Sequence, residues 1–166
     1  VFSIDRAGYY PKGKGIFRVQ ISPVQKLSPL NLIAREPLTE LSLTCILSEL
    51  PDHIAEREIA YVKKCFSEKR IQYPLNIEVK KYSAISPGNM LFLKARFGSL
   101  DAGFSALGDK KKSSEKVAQE LCGSFFQFMD ANAPIEEYMG DMLLLPLAYA
   151  RGSSSYKVAI LSNHLL

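Results

Sequence analysis

The order of hydrophobic periodicities between residues 31 and 132 restricts the fold to a mixed architecture. The stretch from Leu38 to Leu47 alternates apolar and polar residues, which predicts an amphipathic strand. From Pro51 to about Lys69 the apolar residues recur at helical spacing, and they are Ala55, Ile59, Val62 and Phe66. The change of period within this stretch predicts a strand followed by a helix.

The same unit continues with three strands and a second helix. The predicted strands are Leu75 to Val79, Met90 to Phe97 and Ala102 to Leu107, and Ser86-Pro87-Gly88-Asn89 is predicted to be a turn. Ser113 or Ser114 can cap a helix that runs to about Met129. Its inward side chains are Val117, Leu121, Phe125 and Phe128. Elements in this order predict an α+β unit.

Two outer segments flank this unit. Phe2 to Arg6 and Ile16 to Ile21 predict a hairpin with a long connection, and the proline-containing stretch from Ser22 to Asn31 is a linker by composition. Pro134 is predicted to lie in the first turn of a third helix. We therefore divide the chain into residues 1–30, an inserted unit of residues 31–132, and a return to the first unit over residues 133–166.

The third helix carries candidate binding residues. Tyr138, Asp141 or Met142, and Leu145 are three or four residues apart, so they share one face of the helix. A loop and a strand are then predicted to bring His164 to the surface. A ring to stack on a base, a carboxylate for ribose hydroxyls and an imidazole nucleophile can form a nucleotide pocket. The alternative is a packed helix face beside an exposed histidine at the end of a strand.

Composition excludes several classes of protein. The chain has 166 residues and is 47% hydrophobic, which is ordinary for a globular protein and does not favour disorder. The net charge of +4 is compatible with a polyanionic partner but does not diagnose one. The longest apolar run, Met142 to Ala150, is about half of the ~20 residues that a membrane helix needs. We expect no membrane span and a cytoplasmic protein.

The cysteines and one histidine are the candidates for metal binding or redox chemistry. Cys45, Cys65 and Cys122 are odd in number and far apart in the sequence, so they favour neither a disulfide framework nor a zinc site. We expect buried thiols in a reducing compartment. His53 lies beside acidic residues in the first turn of a predicted helix. Without a second ligand at metal spacing, it is interpreted as a surface histidine, and no metal site is predicted from these residues.

Two lysine-containing segments each have two interpretations. Pro11-Lys12-Gly13-Lys14-Gly15 is explained by turn chemistry, or it is a loop whose lysines contact a phosphate. Lys110-Lys111-Lys112 is explained by a solvated turn, or it contacts a phosphate backbone.

Several motifs resemble those of the RNA 3'-terminal phosphate cyclases, and the resemblance covers the whole chain. They are Gly8-Tyr9-Tyr10-Pro11-Lys12-Gly13-Lys14-Gly15, Leu50-Pro51-x-His53-Ile54-Ala55-Glu56-Arg57-Glu58, Pro87-Gly88-Asn89, Gly103-Phe104-x-Ala106-x-Gly108-x-Lys110, Glu137-Tyr138-x-x-Asp141-x-Leu143 and His164-Leu165-Leu166. Three positions depart from the pattern of that family. Ala7 stands where a basic residue is usual, Lys14 replaces a glycine, and Met142 replaces a glutamine.

The resemblance implies a fold and an activity. The fold would be part of a large domain, built from repeats resembling the C-terminal domain of a translation initiation factor, interrupted by a smaller insert domain with thioredoxin-like topology. The activity would use ATP and a divalent metal, Mg²⁺ or Mn²⁺, to convert RNA 3'-phosphate ends to 2',3'-cyclic phosphates through a histidine–AMP intermediate. By resemblance, His164 is the nucleophile, Tyr138 stacks on adenine, and Asp141 lies at the nucleotide site.

The resemblance also implies partners. The family's N-terminal half carries residues that hold metal and triphosphate, so we expect this chain to be a fragment that is inactive without that half. Its partners would be RNA 3'-phosphate ends and the missing half of the same protein, and a homodimer stays open. The alternatives are a cyclase-like protein without catalysis that acts in ribosome biogenesis, or a simple RNA-binding module.

Overall fold

The computed structural model describes residues 1–164, which form eight strands and three helices. The elements in chain order are β1 (Phe2–Arg6), β2 (Ile16–Val19), β3 (Asn31–Leu32), β4 (Leu38–Ser48), α1 (His53–Glu68), β5 (Leu75–Lys81), β6 (Gly88–Phe97), β7 (Leu100–Leu107), α2 (Ser114–Ala131), α3 (Glu137–Ala148) and β8 (Ser155–Tyr156). The α+β prediction is confirmed. None of the helices within residues 1–164 combines the length and hydrophobicity that crossing a bilayer requires.

A four-stranded sheet with the order β5-β4-β6-β7 forms the centre of the molecule. Strands β4 and β5 are parallel, with Leu43 beside Ile77, because α1 carries the chain back across the sheet. Strand β6 runs antiparallel to both β4 and β7. Alternate residues of β4, β6 and β7 are buried, so one face of the sheet meets α1 and α2.

The core between the sheet and the two helices is rich in phenylalanine. Rings of neighbouring pairs lie 5.3–5.8 Å apart, and the residues are Phe66, Phe97, Phe104, Phe125, Phe126 and Phe128. The inward positions predicted for α2 are all buried. In α1, Ile59 is only half-buried, and Glu58 is buried instead.

Strands β1 and β2 form the predicted antiparallel hairpin, with Ile4 opposite Phe17. The loop between them contacts the central unit, since the backbone N–H of Ala7 donates to the carbonyl of Ser83 at 3.1 Å. The hairpin therefore lies against the segment that leads into β6.

Two predicted boundaries were wrong. Gly88 and Asn89 begin β6 and do not belong to the turn, because they pair with Ser48 and Leu47 across the sheet. Helix α3 begins at Glu137, after Pro134. Glu136 caps it, since its carboxylate accepts hydrogen bonds from the N–H groups of the two residues at the helix start, Tyr138 and Met139.

The strand predicted to carry His164 was also wrong. Strand β8 has only two residues and pairs in parallel with β3, while His164 lies in a turn beyond it. The chain around the histidine is held by a side-chain hydroxyl instead of a sheet ladder, as described below. Leu165 and Leu166, which were quoted in the family motif, lie outside the described residues.

The three cysteines lie in the central unit. Cys45 and Cys122 are buried, as predicted, and burial raises the pKa of both thiols to about 12. Cys65 is half-buried and its thiol meets that of Cys122 between α1 and α2, although the two residues are far apart in the sequence. Thiols with such pKa values are protonated at neutral pH.

Candidate functional site

Two glutamates lie at the start of helix α3. The Glu136 carboxylate accepts from the Tyr138 N–H at 2.9 Å and from the Met139 N–H at 2.6 Å, while Glu137 lies in the first turn. Negative charge at this end complements the helix dipole. The cap fixes where the helix starts and therefore which side chains lie on each face.

Asp141, one turn further along α3, is joined to His164 through Ser162. The Ser162 hydroxyl donates a hydrogen bond to Asp141 Oδ1 and accepts one from the backbone N–H of His164 at 3.2 Å. Ser162 is buried, with 6% of its surface exposed. One hydroxyl can play both roles at once. It therefore fixes the backbone of the histidine relative to the carboxylate.

Asp141 and His164 line the same shallow depression, of about 510 Å³. Its other lining residues are the apolar Met142, Leu144 and Leu145. The His164 side chain is exposed, so its imidazole is accessible to a ligand. An apolar wall can contact a base, a carboxylate can accept from hydroxyls, and an imidazole can attack an electrophile.

Tyr138 lines a different cavity. This second cavity, of about 210 Å³, is formed by α2, β7 and the residues around Ile160, and it contains Glu136 and Glu137 but neither Asp141 nor His164. The Tyr138 side chain is 67% exposed. Tyr138 and Asp141 are three residues apart, so they are offset by about 4.5 Å along the helix axis and can line separate cavities. Its predicted role as a stacking residue stays a prediction.

Ser162 is the residue of this site that the sequence reasoning missed. The segment is predicted from the sequence to be a strand, in which backbone N–H groups bond to a neighbouring strand and not to a nearby side chain. A serine two residues before the histidine was the available signal, since serine hydroxyls often bond nearby backbone in turns.

A sequence model of the RNA 3'-terminal phosphate cyclase (RTC) insert domain matches residues 33–130. The chain belongs to the RNA 3'-terminal phosphate cyclase family. The resemblance stated above is thereby confirmed. The matched range contains β4 to β7, α1 and all of α2 except its last residue, and it ends before α3 and His164.

Curated cyclases match almost the whole chain. The protein named RNA 3'-terminal phosphate cyclase from Trichormus variabilis is 34% identical over 158 residues, which are 95% of this chain and 45% of that protein. Those of the same name from Ectopseudomonas mendocina and Methylococcus capsulatus are 34% and 33% identical over 164 residues. The chain spans 46% and 45% of their lengths. It therefore spans a little less than half of these relatives.

The structure brings three motifs of this cyclase family together at one end of the central sheet. Asn89 Nδ2 donates a hydrogen bond to Glu58 Oε1, and both side chains are buried. Gly108 lacks a side chain where that of Asn89 lies, so a Cβ there would collide with it. All three residues belong to the motifs that carry the family resemblance, and the sequence predicted no functional role for any of them.

The Glu58 carboxyl has an unusual electrostatic environment. Burial raises its pKa to about 7, the hydrogen bond from Asn89 opposes the shift, and the charge of Glu115 adds to it. Within residues 1–164, Glu58 Oε2 has no hydrogen-bond partner. A buried carboxylate without full pairing is costly, so the protonated form is favoured below about pH 7.

The described residues contain no cluster of metal ligands. No group of three or more histidine, cysteine, aspartate or glutamate side chains within residues 1–164 is arranged to hold an ion. His53 is exposed at the start of α1, consistent with its interpretation as a surface histidine. Asp141 supplies a single carboxylate, so a metal at this depression would need ligands from other parts of a larger protein.

Proposed function

We propose that this chain is part of an ATP-dependent RNA 3'-terminal phosphate cyclase in which His164 is the nucleophile. The observation that carries the proposal is the shared depression of Asp141 and the exposed His164, linked through the Ser162 hydroxyl. Membership of the cyclase family supplies the chemistry, and the depression supplies a place for it.

The reaction would proceed in three displacements. A neutral imidazole nitrogen of His164 attacks the α-phosphorus of ATP, the bond to the bridging oxygen breaks, and pyrophosphate leaves. An oxygen of the RNA 3'-phosphate then attacks the same phosphorus and releases His164. Finally the RNA 2'-hydroxyl attacks the terminal phosphorus, loses its proton, and expels AMP to leave the 2',3'-cyclic phosphate.

The residues of the site fit a nucleoside better than a triphosphate. The apolar wall of Met142 and Leu145 can contact adenine, and Asp141 can accept from ribose hydroxyls. Tyr138, which the family resemblance assigns to adenine stacking, lines the second cavity. The ligands of the metal, Mg²⁺ or Mn²⁺, and the cations that clamp the phosphates would come from the rest of the protein. When bound, the metal would neutralise charge on the phosphate oxygens.

The exposed apolar residues of α3 support the proposal that another segment of the protein packs against this helix. Met142 is 66% exposed and Leu145 is 69% exposed, which is unusual for large apolar side chains on one helix. We propose that the remaining half of the large domain covers this helix. The isolated chain would then lack cyclase activity.

The finer fold assignment is also part of the proposal. A parallel β4–β5 pair followed by antiparallel β6 and β7 supports thioredoxin-like topology for the insert, and the hairpin and α3 would belong to the large domain. Such a topology would not make the insert a redox domain, since its cysteines are not arranged as Cys-x-x-Cys.

The test is covalent labelling of His164. The chain is joined to, or mixed with, the N-terminal half of a relative, then incubated with ATP labelled at the α-phosphate and Mg²⁺ or Mn²⁺. We expect acid-labile label on the complemented protein and none on the His164→Asn variant. The His53→Asn variant is the matched control and should label normally.

Two results would contradict the proposal. Undiminished labelling of the His164→Asn variant would remove the assigned nucleophile. Labelling of the chain alone would show that it needs no clamp from another segment.

A cyclase-like protein without catalysis is the second candidate. Met142 favours it, because a thioether stands where the family has an amide that can hydrogen-bond a nucleotide. In that case the complemented protein would bind ATP weakly or not at all and would never carry covalent AMP.

A further inference from the structure

Helices α1 and α2 lie side by side and run in the same direction. Near their N-terminal ends, Arg57 Nη2 lies 2.8 Å from Glu115 Oε2. At the other end of α1, Lys69 Nζ lies 5.6 Å from the centre of the Phe126 ring. Both contacts join later residues of one helix to later residues of the other, so the helices are parallel. Residues that face each other therefore differ by 57 or 58 in sequence number.

Cys65 and Cys122 meet in this register. They are 57 residues apart in the sequence. Cys65 precedes Lys69 by four residues and Cys122 precedes Phe126 by four, so both cysteines lie one turn before the same contact between the helices. Their thiols are close enough to interact directly. The packing of the two helices, and not the sequence around either cysteine, creates this pair.

The core fixes the position of both cysteines. The rings of Phe66, next to Cys65, and Phe125, one turn after Cys122, lie 5.4 Å apart. The side chain of Cys122 is only 3% exposed, whereas that of Cys65 is half-buried. The pair therefore has one sulfur inside the core and one that a small solute can reach from the groove between the helices.

The surroundings of the two thiols favour redox chemistry over metal binding. Within residues 1–164, no group of three potential metal ligands contains them. The hydroxyl of Tyr61, one turn before Cys65 on α1, approaches the Cys65 sulfur, and a phenol can donate a hydrogen bond to a sulfur anion. Burial and the neighbouring thiol raise the pKa of Cys122 to about 12, so Cys122 stays protonated. Cys65 is therefore the member of the pair that reacts first.

We propose that Cys65 is a site of oxidation by hydrogen peroxide, and that Cys122 captures the product as a disulfide between α1 and α2. The Cys65 thiolate attacks one oxygen of the peroxide, the O–O bond breaks, and hydroxide leaves and takes up a proton. Cys65 is then a sulfenic acid. The Cys122 sulfur attacks the Cys65 sulfur, the S–O bond breaks, and the hydroxyl leaves with the Cys122 proton as water. The two thiols are oxidised to one disulfide, and the peroxide is reduced to two molecules of water.

The helix pair is suited to such a bond. A disulfide needs Cα atoms about 4.4–6.8 Å apart. The axes of packed helices are about 8–10 Å apart and each Cα lies about 2.3 Å from its axis, so the Cα atoms of facing residues can come within this range. In a reducing compartment such a disulfide is transient, because cellular thiols reduce it again. The modification is therefore reversible.

This oxidation site does not depend on the proposed cyclase chemistry. Both cysteines lie within residues 33–130, the range matched by the insert-domain model, whereas His164 lies outside it. Loss of either assignment leaves the other standing.

The test treats the reduced, folded chain with hydrogen peroxide, blocks the remaining thiols with iodoacetamide and maps the tryptic peptides by mass spectrometry. The three cysteines fall in separate peptides, which are residues 36–57, 65–69 and 117–151. We expect the second and third peptides to be joined, with a mass smaller than their sum by two hydrogen atoms. Peptide 36–57 should be alkylated at Cys45. Dithiothreitol should release the joined peptides.

Three variants assign the roles of the cysteines. Cys45→Ala is the matched control and should form the same crosslink, because Cys45 lies in β4 and faces Glu58. Cys122→Ala removes the capturing thiol, so a dimedone probe should label the sulfenic acid that accumulates at Cys65. Cys65→Ala should lose both the crosslink and the dimedone label.

Several results would overturn the assignment, and the parent chain alone can give most of them. Peroxide treatment that leaves all three thiols free to react with iodoacetamide would show that Cys65 is not oxidised. A disulfide that joins two chains, or that contains Cys45, would show that Cys65 and Cys122 are not partners. The same mixture of disulfides from folded chain and from chain unfolded in urea would mean that the fold does not select this pair.

Discussion

The side-chain amide of Asn89 donates a hydrogen bond to the carboxyl group of Glu58, inside the end of the central sheet. This bond joins the first strand residues of β6 to the buried face of α1. The same end of the sheet carries the docked Tyr9 and the loop after β7.

The first prediction concerns the pH dependence of stability. The folded-state pKa of Glu58 is about 7, above its ordinary value of 4.5, so between these values the folded protein holds a proton that the unfolded chain releases. Stability from this group should therefore fall as pH rises from about 4.5 to about 7, by roughly 3 kcal/mol, and then level off. Cys45, which also faces Glu58, has a pKa near 12 and stays neutral over this range.

Urea unfolding of Glu58→Gln at about pH 5 and about pH 8 measures this contribution. The difference in unfolding free energy between the two pH values should change by roughly 3 kcal/mol relative to the parent chain. The exposed Glu56→Gln variant should leave the difference unchanged. An unaltered pH profile for Glu58→Gln would show that the carboxyl titrates normally.

The second prediction concerns Ser162. Removing its hydroxyl by Ser162→Ala takes away the bridge between Asp141 and the His164 backbone, so the imidazole loses its fixed position. In the complemented protein, the rate of covalent labelling should fall about tenfold, comparable to one hydrogen bond to a charged group. The exposed Ser153→Ala variant should label at the normal rate. Equal rates for the two variants would mean that Ser162 does not position the histidine.

The third prediction uses two glycines. Gly88→Ala places a methyl group against the Tyr9 ring, so the hairpin loop must shift, at a cost of about 1–3 kcal/mol. Gly123→Ala is the control, because a Cβ at that position in α2 meets nothing within 4 Å. It should stabilise the helix by about 0.5–1 kcal/mol. Denaturant unfolding measures both, and similar signs for the two variants would contradict the docking of Tyr9.

The fourth prediction tests the core. Phe125 is fully buried and contacts the rings of Phe66 and Phe104, so Phe125→Ala should cost about 3–5 kcal/mol. The adjacent Phe126 is only half-buried and should cost less on the same substitution. Urea midpoints measure the two losses. A larger loss at Phe126 would mean that α2 turns a different face to the sheet.

Long periodic elements were predicted more accurately than short irregular ones. Strand β4 and helices α1 and α2 were predicted within a few residues, because many side chains agree on one periodicity. The start of α3 was misjudged because Pro134 and Glu136 both suit a helix start, and only the backbone shows that Glu136 is the cap. The turn that carries His164 was wrongly predicted as a strand, because a segment of only a few residues shows no clear hydrophobic periodicity.

The sequence by itself determined the α+β class, the family, and the residues that could perform chemistry, since each depends on residue type and local spacing. Only the tertiary structure decided which of those residues meet. Asp141 reaches His164 through Ser162, Tyr138 faces another cavity, and Asn89 bonds to Glu58 across 31 residues of chain. Contacts of this kind depend on how the sheet and the helices pack, and local periodicity holds no information about distances between segments that are remote in the chain.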